Sequence, residues 1–197
     1  MLLDGWSAAS PTSSNMRFNP TELPGAFLIE PELIEDQRGF FARTWSKEEF
    51  EQRQLNSKIA QCSISFNAKR GTIRGLHYQI PPHEETKLVR CSVGKILDVI
   101  VDLRRNSPTF KSWASFELSC ANRRMLYIPA GLAHGFQTLE ENTEVVYQIS
   151  EYYHPESARG VRWNDPLLNI NWPLPVAAIS ERDMTLPLIN DADLEVF

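Results

Sequence analysis

The chain has 197 residues, of which 42% are hydrophobic and 23% charged, and its formal net charge is −5. These values are typical of a single globular domain, and they offer neither the run of about 18 apolar residues that a membrane span needs nor the basic patch that binds nucleic acid. The three cysteines, Cys62, Cys91 and Cys120, form no C-x-x-C pair, which predicts free thiols in a reducing cytoplasm.

The first sixteen residues, MLLDGWSAASPTSSNM, contain no Lys or Arg and no long apolar run. They therefore do not match a secretory signal, which begins with basic residues followed by an apolar segment. We expect residues 1–16 to form a disordered leader and residues 17–197 to form one domain, with Met16 as an alternative start.

One short helix is predicted in the segment SKEEFEQRQL. Ser46 is a favourable N-cap, and Glu49 follows three residues later. This spacing is a capping box, in which the two ends of the first turn satisfy each other's backbone N–H groups.

Strand patterns dominate from about residue 57 to residue 150. The segments TKLVRCSV, KILDVIVDL, SWASFEL, RRMLYIP, GFQTL and TEVVYQIS are short, rich in β-branched or aromatic residues, and separated by turn formers. Such spacing predicts a sandwich or barrel. A parallel α/β fold is disfavoured, because the helical crossovers between its strands are missing.

Basic side chains, among them Arg74, His77 and Lys87, stand in strand-like sequence within GTIRGLHYQIPPHEETKLVRC. In a regular strand Arg74 and His77 would face opposite sides, but Gly75 between them predicts a bulge that re-aims one side chain. If the two apolar runs pair as a hairpin across IPPHEE, Lys87 returns close to His77. These residues are candidates for a polar interior.

Common catalytic motifs are missing from the sequence. It contains no G-x-G-x-x-G, no P-loop and no G-x-S-x-G elbow. No two of the four histidines form H-x-H or H-E-x-x-H, and no third ligand is evident, so we predict no metal site. Those four are His77, His83, His134 and His154.

Several of these residues also have a purely structural interpretation. His134 on its own is typical of a hydrogen-bonded core histidine, and Tyr147 of a packing residue in a strand. His83 and His154 stand beside prolines and are predicted to be exposed in turns. Arg38 could pair with a nearby carboxylate on the surface.

Six segments, taken together, carry a family resemblance. They are DQRGFF, RGLHYQ, KLVRCSVGKILDVIVDLRRNSPTF, RRMLYIPAGLAHGFQTL, EVVYQISEYYHPESARGVRWNDP and ISERD. In this order, from about Leu23 to Asp183, the chain resembles the dTDP-4-dehydrorhamnose 3,5-epimerases, which are sugar-nucleotide epimerases of the cupin class. The resemblance implies an all-β cupin jelly-roll with a few short helices. It also implies a homodimer that exchanges N-terminal strands, a nucleotide-diphosphate-sugar substrate, and no metal or other cofactor.

The resemblance also implies roles for individual residues. His77 stands at the family's general base, Asp183 at the carboxylate that orients it, and Tyr147 at the general acid. Lys87 and His134 match residues that line the site.

The remaining matches concern substrate binding. Arg74 matches a residue that holds the diphosphate, and Arg38 matches a nucleotide contact supplied by the partner chain. Phe41 belongs to the same segment as Arg38. Gln61 and Ser63 stand in a segment that contacts the sugar.

The chemistry of epimerisation needs these residue types. Inverting a carbon beside a ketone requires a base of near-neutral pKa, which histidine supplies, and a donor on the opposite face, which a phenol supplies. A carboxylate fixes the tautomer of the imidazole, and Lys87 is the candidate to stabilise the enolate oxygen.

Three alternatives stay open at this point. Ala42 and Arg43 follow QRGFF, where the family has an aromatic and then an acidic residue, so a single-position epimerase acting on another nucleotide sugar is one alternative. The others are a non-catalytic sugar-nucleotide-binding protein and a metal-dependent cupin oxygenase or isomerase.

Overall fold

A computed structural model describes residues 16–190 of the protein, and two antiparallel sheets form its body. The strands are β1 (Met16–Pro20), β2 (Phe27–Pro31), β3 (Ile34–Asp36), β4 (Gly39–Phe41), β5 (Gln61–Asn67), β6 (Ile73–Gln79), β7 (Lys87–Val93), β8 (Lys95–Asp102), β9 (Trp113–Ser119), β10 (Met125–Ile128), β11 (Leu132–Thr138), β12 (Thr143–Ile149) and β13 (Ala158–Gly160), and the helices are α1 (Lys47–Gln52) and α2 (Glu181–Met184). None of the helices in this part of the chain has the length and apolar character to cross a membrane. The all-β prediction with a few short helices is confirmed.

The larger sheet has six strands in the order β1-β2-β10-β7-β12-β5, and the smaller has five in the order β13-β6-β11-β8-β9. Apolar side chains of both sheets meet between them, including Val89 and Val145 from the first and Ile100, Leu118 and Phe136 from the second. Strands β3 and β4 form a separate two-stranded hairpin. The core therefore lies between two layers, as in a jelly-roll.

The predicted hairpin between the two apolar runs is wrong. Strand β6 pairs with β11 and β13 in one sheet, whereas β7 pairs with β10 and β12 in the other. The segment between them contains Pro81 and Pro82, which have no N–H to donate and cannot extend a ladder. The chain instead crosses from one layer to the other here, so β6 and β7 face each other across the sandwich.

The two helices have side-chain caps. Ser46 accepts a hydrogen bond from the N–H of Glu49 at 3.4 Å, as the capping pattern predicts. Helix α1 ends at Gln52, earlier than the sequence pattern, because Gln54 adopts a φ of +57°. Ser180 caps α2 in the same way by accepting from the N–H of Asp183.

The predicted leader lies outside the described residues except for its last residue. Met16 begins β1, pairs with Pro31 of β2 and is buried. The ordered domain thus includes Met16.

Candidate active site

A pocket of about 470 Å³ opens between the two sheets and gathers most of the predicted site residues. Eight of the ten line it. They are Gln61, Ser63, Arg74, His77, Lys87, His134, Tyr147 and Asp183. Because they come from five strands and one helix, the pocket depends on the packing of the whole sandwich.

The first wall of the pocket carries an imidazole–carboxylate pair. His77 on β6 places its Nε2 atom 2.7 Å from Oδ1 of Asp183 on α2. The other carboxylate oxygen accepts from the N–H of Gly75 at 3.0 Å. Burial would raise the pKa of Asp183, but the hydrogen bonds from His77 and Gly75 and the charge of His77 outweigh it and lower that pKa. The carboxylate is therefore ionised and fixes the orientation of the imidazole.

The bulge that the sequence predicted at Gly75 is present. The pairing of β6 with β11 shifts register between His77 opposite His134 and Arg74 opposite Phe136. Gly75 has a φ of +109°, and a Cβ atom there would lie 2.6 Å from the carbonyl oxygen of His134. Only glycine fits this position, and the extra residue turns both Arg74 and His77 toward the pocket.

Tyr147 stands on the second wall, on β12 of the larger sheet. Its ring meets that of His134 edge to face, with centroids 6.1 Å apart. Burial raises the pKa of the phenol well above its ordinary value of 10.0, and the negative charge of Asp98 adds to the rise, while Arg74 lowers it. The hydroxyl is consequently protonated at neutral pH and can donate a proton into the pocket.

Lys87 links the two walls. From β7 of the larger sheet, its Nζ atom lies 3.4 Å from the carbonyl oxygen of His77 on the smaller sheet. The same atom forms an ion pair with Glu85 at 2.8 Å, and both side chains are mostly buried. Sequence reasoning missed Glu85, which keeps an opposite charge beside this buried ammonium.

A second imidazole–carboxylate pair lies behind the pocket. His134 on β11 contacts Oδ1 of Asp98 on β8 through Nε2, and both side chains are buried. Oδ2 of Asp98 has no hydrogen-bond partner among the described residues. Asp98 was not predicted as a site residue, although its place on the apolar face of ILDVIVDL was the available signal. His134 is thus both a buried, hydrogen-bonded residue and part of the pocket lining.

Three arginines contribute positive charge to the pocket lining. Arg74 donates from Nε to Oδ1 of Asn67 at 2.7 Å, which holds its guanidinium in place. Arg159 and Arg182 also line the pocket, and sequence reasoning missed both, although Arg182 directly precedes Asp183 in the ERD motif. Guanidinium groups suit a diphosphate, which they can bind with paired hydrogen bonds.

The β5 wall is polar in a regular pattern. Gln61, Ser63 and Ser65 stand at alternate positions of the strand and all line the pocket. Ser65 was missed, but the period of two is the signal that identifies it. Gln61 also accepts a hydrogen bond from the N–H of Tyr153, another lining residue that was not predicted.

Arg38 and Phe41 lie away from this pocket within one chain. Both belong to the β3–β4 hairpin, where Phe41 is 55% exposed. Arg38 forms an ion pair with Asp36 at 2.5 Å on the surface. This is the surface pairing that the sequence offered as the structural alternative, and one chain alone does not bring Arg38 to the site.

A metal could be held by one group of side chains in the described part of the chain. The two turn histidines, His83 and His154, come together with Glu156, whereas the sequence showed no third ligand. None of the three lines the pocket itself.

Comparison with known proteins identifies related sequences across most of the chain. The family model described as dTDP-4-dehydrorhamnose 3,5-epimerase matches residues 20–191. A protein of that name from Shigella flexneri is 41% identical over 175 residues, which cover 88% of this chain and 96% of the relative.

Solved structures give the same match. The dTDP-4-dehydrorhamnose 3,5-epimerase from Bacillus anthracis str. Ames, with TDP and PPi bound, is 44% identical at a TM-score of 0.85 and covers 88% of this chain and 99% of its own. A second structure is the dTDP-6-deoxy-D-glucose-3,5-epimerase from Legionella pneumophila Philadelphia 1, in complex with dTDP-4-keto-L-rhamnose. It is 36% identical at a TM-score of 0.86, and the match covers 92% of this chain and 97% of that chain.

Proposed function

Because the chain belongs to the dTDP-4-dehydrorhamnose 3,5-epimerase family, we propose that it inverts C3 and C5 of a dTDP-linked 4-keto-6-deoxyhexose. Both carbons flank the C4 ketone, so their hydrogens are acidic for the same reason. Loss of either proton gives an enolate whose negative charge rests on the same oxygen. One base and one oxyanion site can therefore serve both inversions.

His77 is the proposed base. The ionised Asp183 at 2.7 Å accepts the N–H of one ring nitrogen, so the other nitrogen is free to take the substrate proton. When the imidazole becomes positively charged, the carboxylate stabilises it. A positioned base of this kind contributes about 10²–10⁴-fold in rate.

Tyr147 is the proposed acid. It reaches the pocket from the sheet opposite to that of His77, so a proton delivered from it arrives on the other face of the sugar ring. The raised pKa of the phenol keeps it protonated until the enolate forms. Removal on one face and return on the other is what inverts the carbon.

Lys87 is the proposed stabiliser of the enolate oxygen. Its ammonium is mostly buried between the two walls, where a positive charge acts more strongly than in water. The base, the acid and this ammonium come from the chain itself, so the proposed mechanism needs no metal or organic cofactor.

Substrate binding follows from the rest of the lining. We assign the diphosphate to Arg74 and the sugar hydroxyls to Gln61 and Ser63, while Arg159 and Arg182 add positive charge to the same pocket. His134, held by its buried carboxylate partner, completes the wall between base and acid.

We further propose a homodimer that exchanges N-terminal strands and brings Arg38 and Phe41 to the nucleotide in the partner's pocket. The β3–β4 hairpin that carries them stands apart from both sheets and exposes Phe40 and Phe41. Apolar side chains on an isolated hairpin are stabilised when a second chain covers them. We place the protein in the cytoplasm, which suits its unpaired thiols.

The observation that carries the proposal is that His77 with Asp183 and Tyr147 line one pocket from opposite sheets. The test is to incubate the protein with dTDP-4-keto-6-deoxyglucose in D₂O and follow C3 and C5 by NMR. We expect deuterium at both carbons. Deuterium at one carbon alone would make this a single-position epimerase, and no exchange with dTDP, UDP, CDP or GDP sugars would contradict an epimerase of any kind.

A further inference from the structure

A second group of ionisable side chains lies at the rim of the pocket and has no part in the proposed reaction. The rings of His83 and His154 stack with centroids 3.5 Å apart and planes within 6° of each other. One oxygen of Glu156 lies 3.2 Å from Nδ1 of His154 and 3.9 Å from Nε2 of His83. One donor atom from each of the three residues lies within 4.8 Å of the other two.

The side chain of Gln79 holds the backbone segments of the two histidines together before any ligand binds. The buried side chain of Gln79 donates from Nε2 to the carbonyl oxygen of His83 at 2.9 Å, and its Oε1 accepts from the N–H of His154 at 2.7 Å. One amide thus fixes both segments. The N–H of Ser157 bonds the carbonyl of His154, which closes the turn that carries Glu156.

We propose that His83, His154 and Glu156 bind a borderline divalent cation such as Zn²⁺ at the rim of the active site. Two imidazoles and a carboxylate are donors that suit zinc. Donor atoms sharing a tetrahedral zinc stand about 3.3 Å apart, given bonds of about 2.0–2.1 Å, and the Glu156 oxygen lies 3.2 and 3.9 Å from the two imidazole nitrogens. Because the lone pairs of parallel rings do not converge, binding requires the two rings to tilt out of their stack toward the metal.

The site is open to water, which can complete the coordination. The side chains of His83 and His154 are 30% and 28% exposed, and that of Glu156 is 65% exposed. A cation can therefore enter from solvent without opening the fold. A partly solvated site with three protein ligands keeps a fourth position for water.

Metal binding would join two segments that both supply pocket residues. Glu85 and Lys87 follow His83 at distances of two and four residues, and Tyr153 directly precedes His154. A cation between them ties the turn after β6 to the loop after β12. The metal acts as a cross-link at the pocket rim, away from the reacting carbons.

The test is a Zn²⁺ titration of the full chain under reducing conditions, followed by calorimetry and by NMR of the histidine side chains. We expect one binding event per chain that shifts the imidazole signals of His83 and His154, and a higher Tm with the metal. His83→Ala and His154→Ala should each lower the Zn²⁺ affinity by more than about tenfold. Even residues that only hydrogen-bond to metal ligands typically cost about that much when they are mutated. Glu84→Gln is the matched control, since this exposed carboxylate lies beside His83 but outside the cluster.

Circular dichroism of each variant shows whether the fold is retained. Unchanged Zn²⁺ affinity in both histidine variants would overturn the proposal, as would signals of His83 and His154 that do not move on titration. Because the readouts are metal affinity and imidazole shifts, the result is independent of whether the protein epimerises any sugar.

Discussion

The Nζ atom of Lys87 lies 3.4 Å from the carbonyl oxygen of His77, although the two residues belong to different sheets. The hydrogen bond joins the wall that carries the proposed base to the wall that carries the proposed acid. The ammonium is thereby fixed beside the β6 backbone at the residue that carries the imidazole. Glu85 holds it from the other side at 2.8 Å.

Removing this ammonium should slow the reaction without preventing binding. We expect Lys87→Met to lower kcat by about 10²–10³-fold, the usual loss for one oxyanion stabiliser. The variant also leaves the mostly buried Glu85 without its partner, which should lower the free energy of unfolding. The double variant Lys87→Met/Glu85→Gln is the control, because it should regain stability while kcat stays low. Recovery of kcat in the double variant would show that Lys87 acts only through folding.

Removing the phenol should separate proton exchange from inversion. In Tyr147→Phe the base still takes the proton, but the donor on the opposite face is gone. We expect deuterium to enter from D₂O with retained configuration, while inversion slows by about 10²–10⁴-fold. NMR of the sugar distinguishes the two outcomes, and inversion at the wild-type rate would exclude Tyr147 as the acid.

The same phenol predicts a feature of the wild-type pH profile. Its pKa is raised above the ordinary value of 10.0, so the phenol stays mostly protonated up to that pH. We therefore expect that deprotonation of Tyr147 does not lower the inversion rate between pH 8 and 10. If the wild-type rate fell near pH 9 and the slower rate of Tyr147→Phe did not, the raised pKa would be contradicted.

Asp183 should contribute to stability in a pH-dependent way. Its pKa in the folded protein is lowered from 3.8, so its bonds to His77 and Gly75 stabilise the fold fully above that value. The contribution is lost as the pH falls through the folded pKa. Asp183→Asn should therefore lower the free energy of unfolding at pH 7, and its difference from wild type should shrink below about pH 4.

Urea unfolding at a series of pH values measures this difference. Glu84→Gln serves as control, because the exposed Glu84 forms none of these bonds. If the free energy of unfolding of Asp183→Asn were below that of wild type by as much at pH 3 as at pH 7, the lost stability would come from packing rather than from the carboxylate charge.

The proposed dimer can be tested by mixing two inactive variants. Arg38→Ala lacks the nucleotide contact and His77→Asn lacks the base. If Arg38 acts in the partner's pocket, a mixed dimer contains one intact site, and random exchange should restore about a quarter of wild-type activity. If Arg38 acts in its own chain, mixing restores nothing, and light scattering shows whether the mixed dimers form.

The strands and the fold class could be predicted from the sequence because their signals are local. β-branched segments, turn residues and the glycine bulge at Gly75 all appear within a few residues of one another. The capping pair Ser46 and Glu49 could be predicted for the same reason.

What the sequence did not predict depends on distant contacts. Pro81 and Pro82 disfavour a ladder between β6 and β7, but no local pattern shows that β11 is the partner of β6. Asp98 meets His134 from 36 residues away, and His83 meets His154 from 71 residues away.

The end of the chain shows the same limit. Helix α2 is a single turn of four residues, too short for a helical periodicity to appear. Asp183 was nevertheless assigned through the ERD motif, and the structure places it 2.7 Å from His77. The motif therefore predicted a contact across 106 residues that periodicity could not.

The most direct test of the central claim is deuterium incorporation by His77→Asn compared with wild type. The account predicts that wild-type protein labels C3 and C5 of dTDP-4-keto-6-deoxyglucose in D₂O. It predicts that His77→Asn, with circular dichroism showing that the fold is retained, loses about 10²–10⁴-fold of that rate at both carbons. Exchange at the wild-type rate in His77→Asn would show that another group removes the protons.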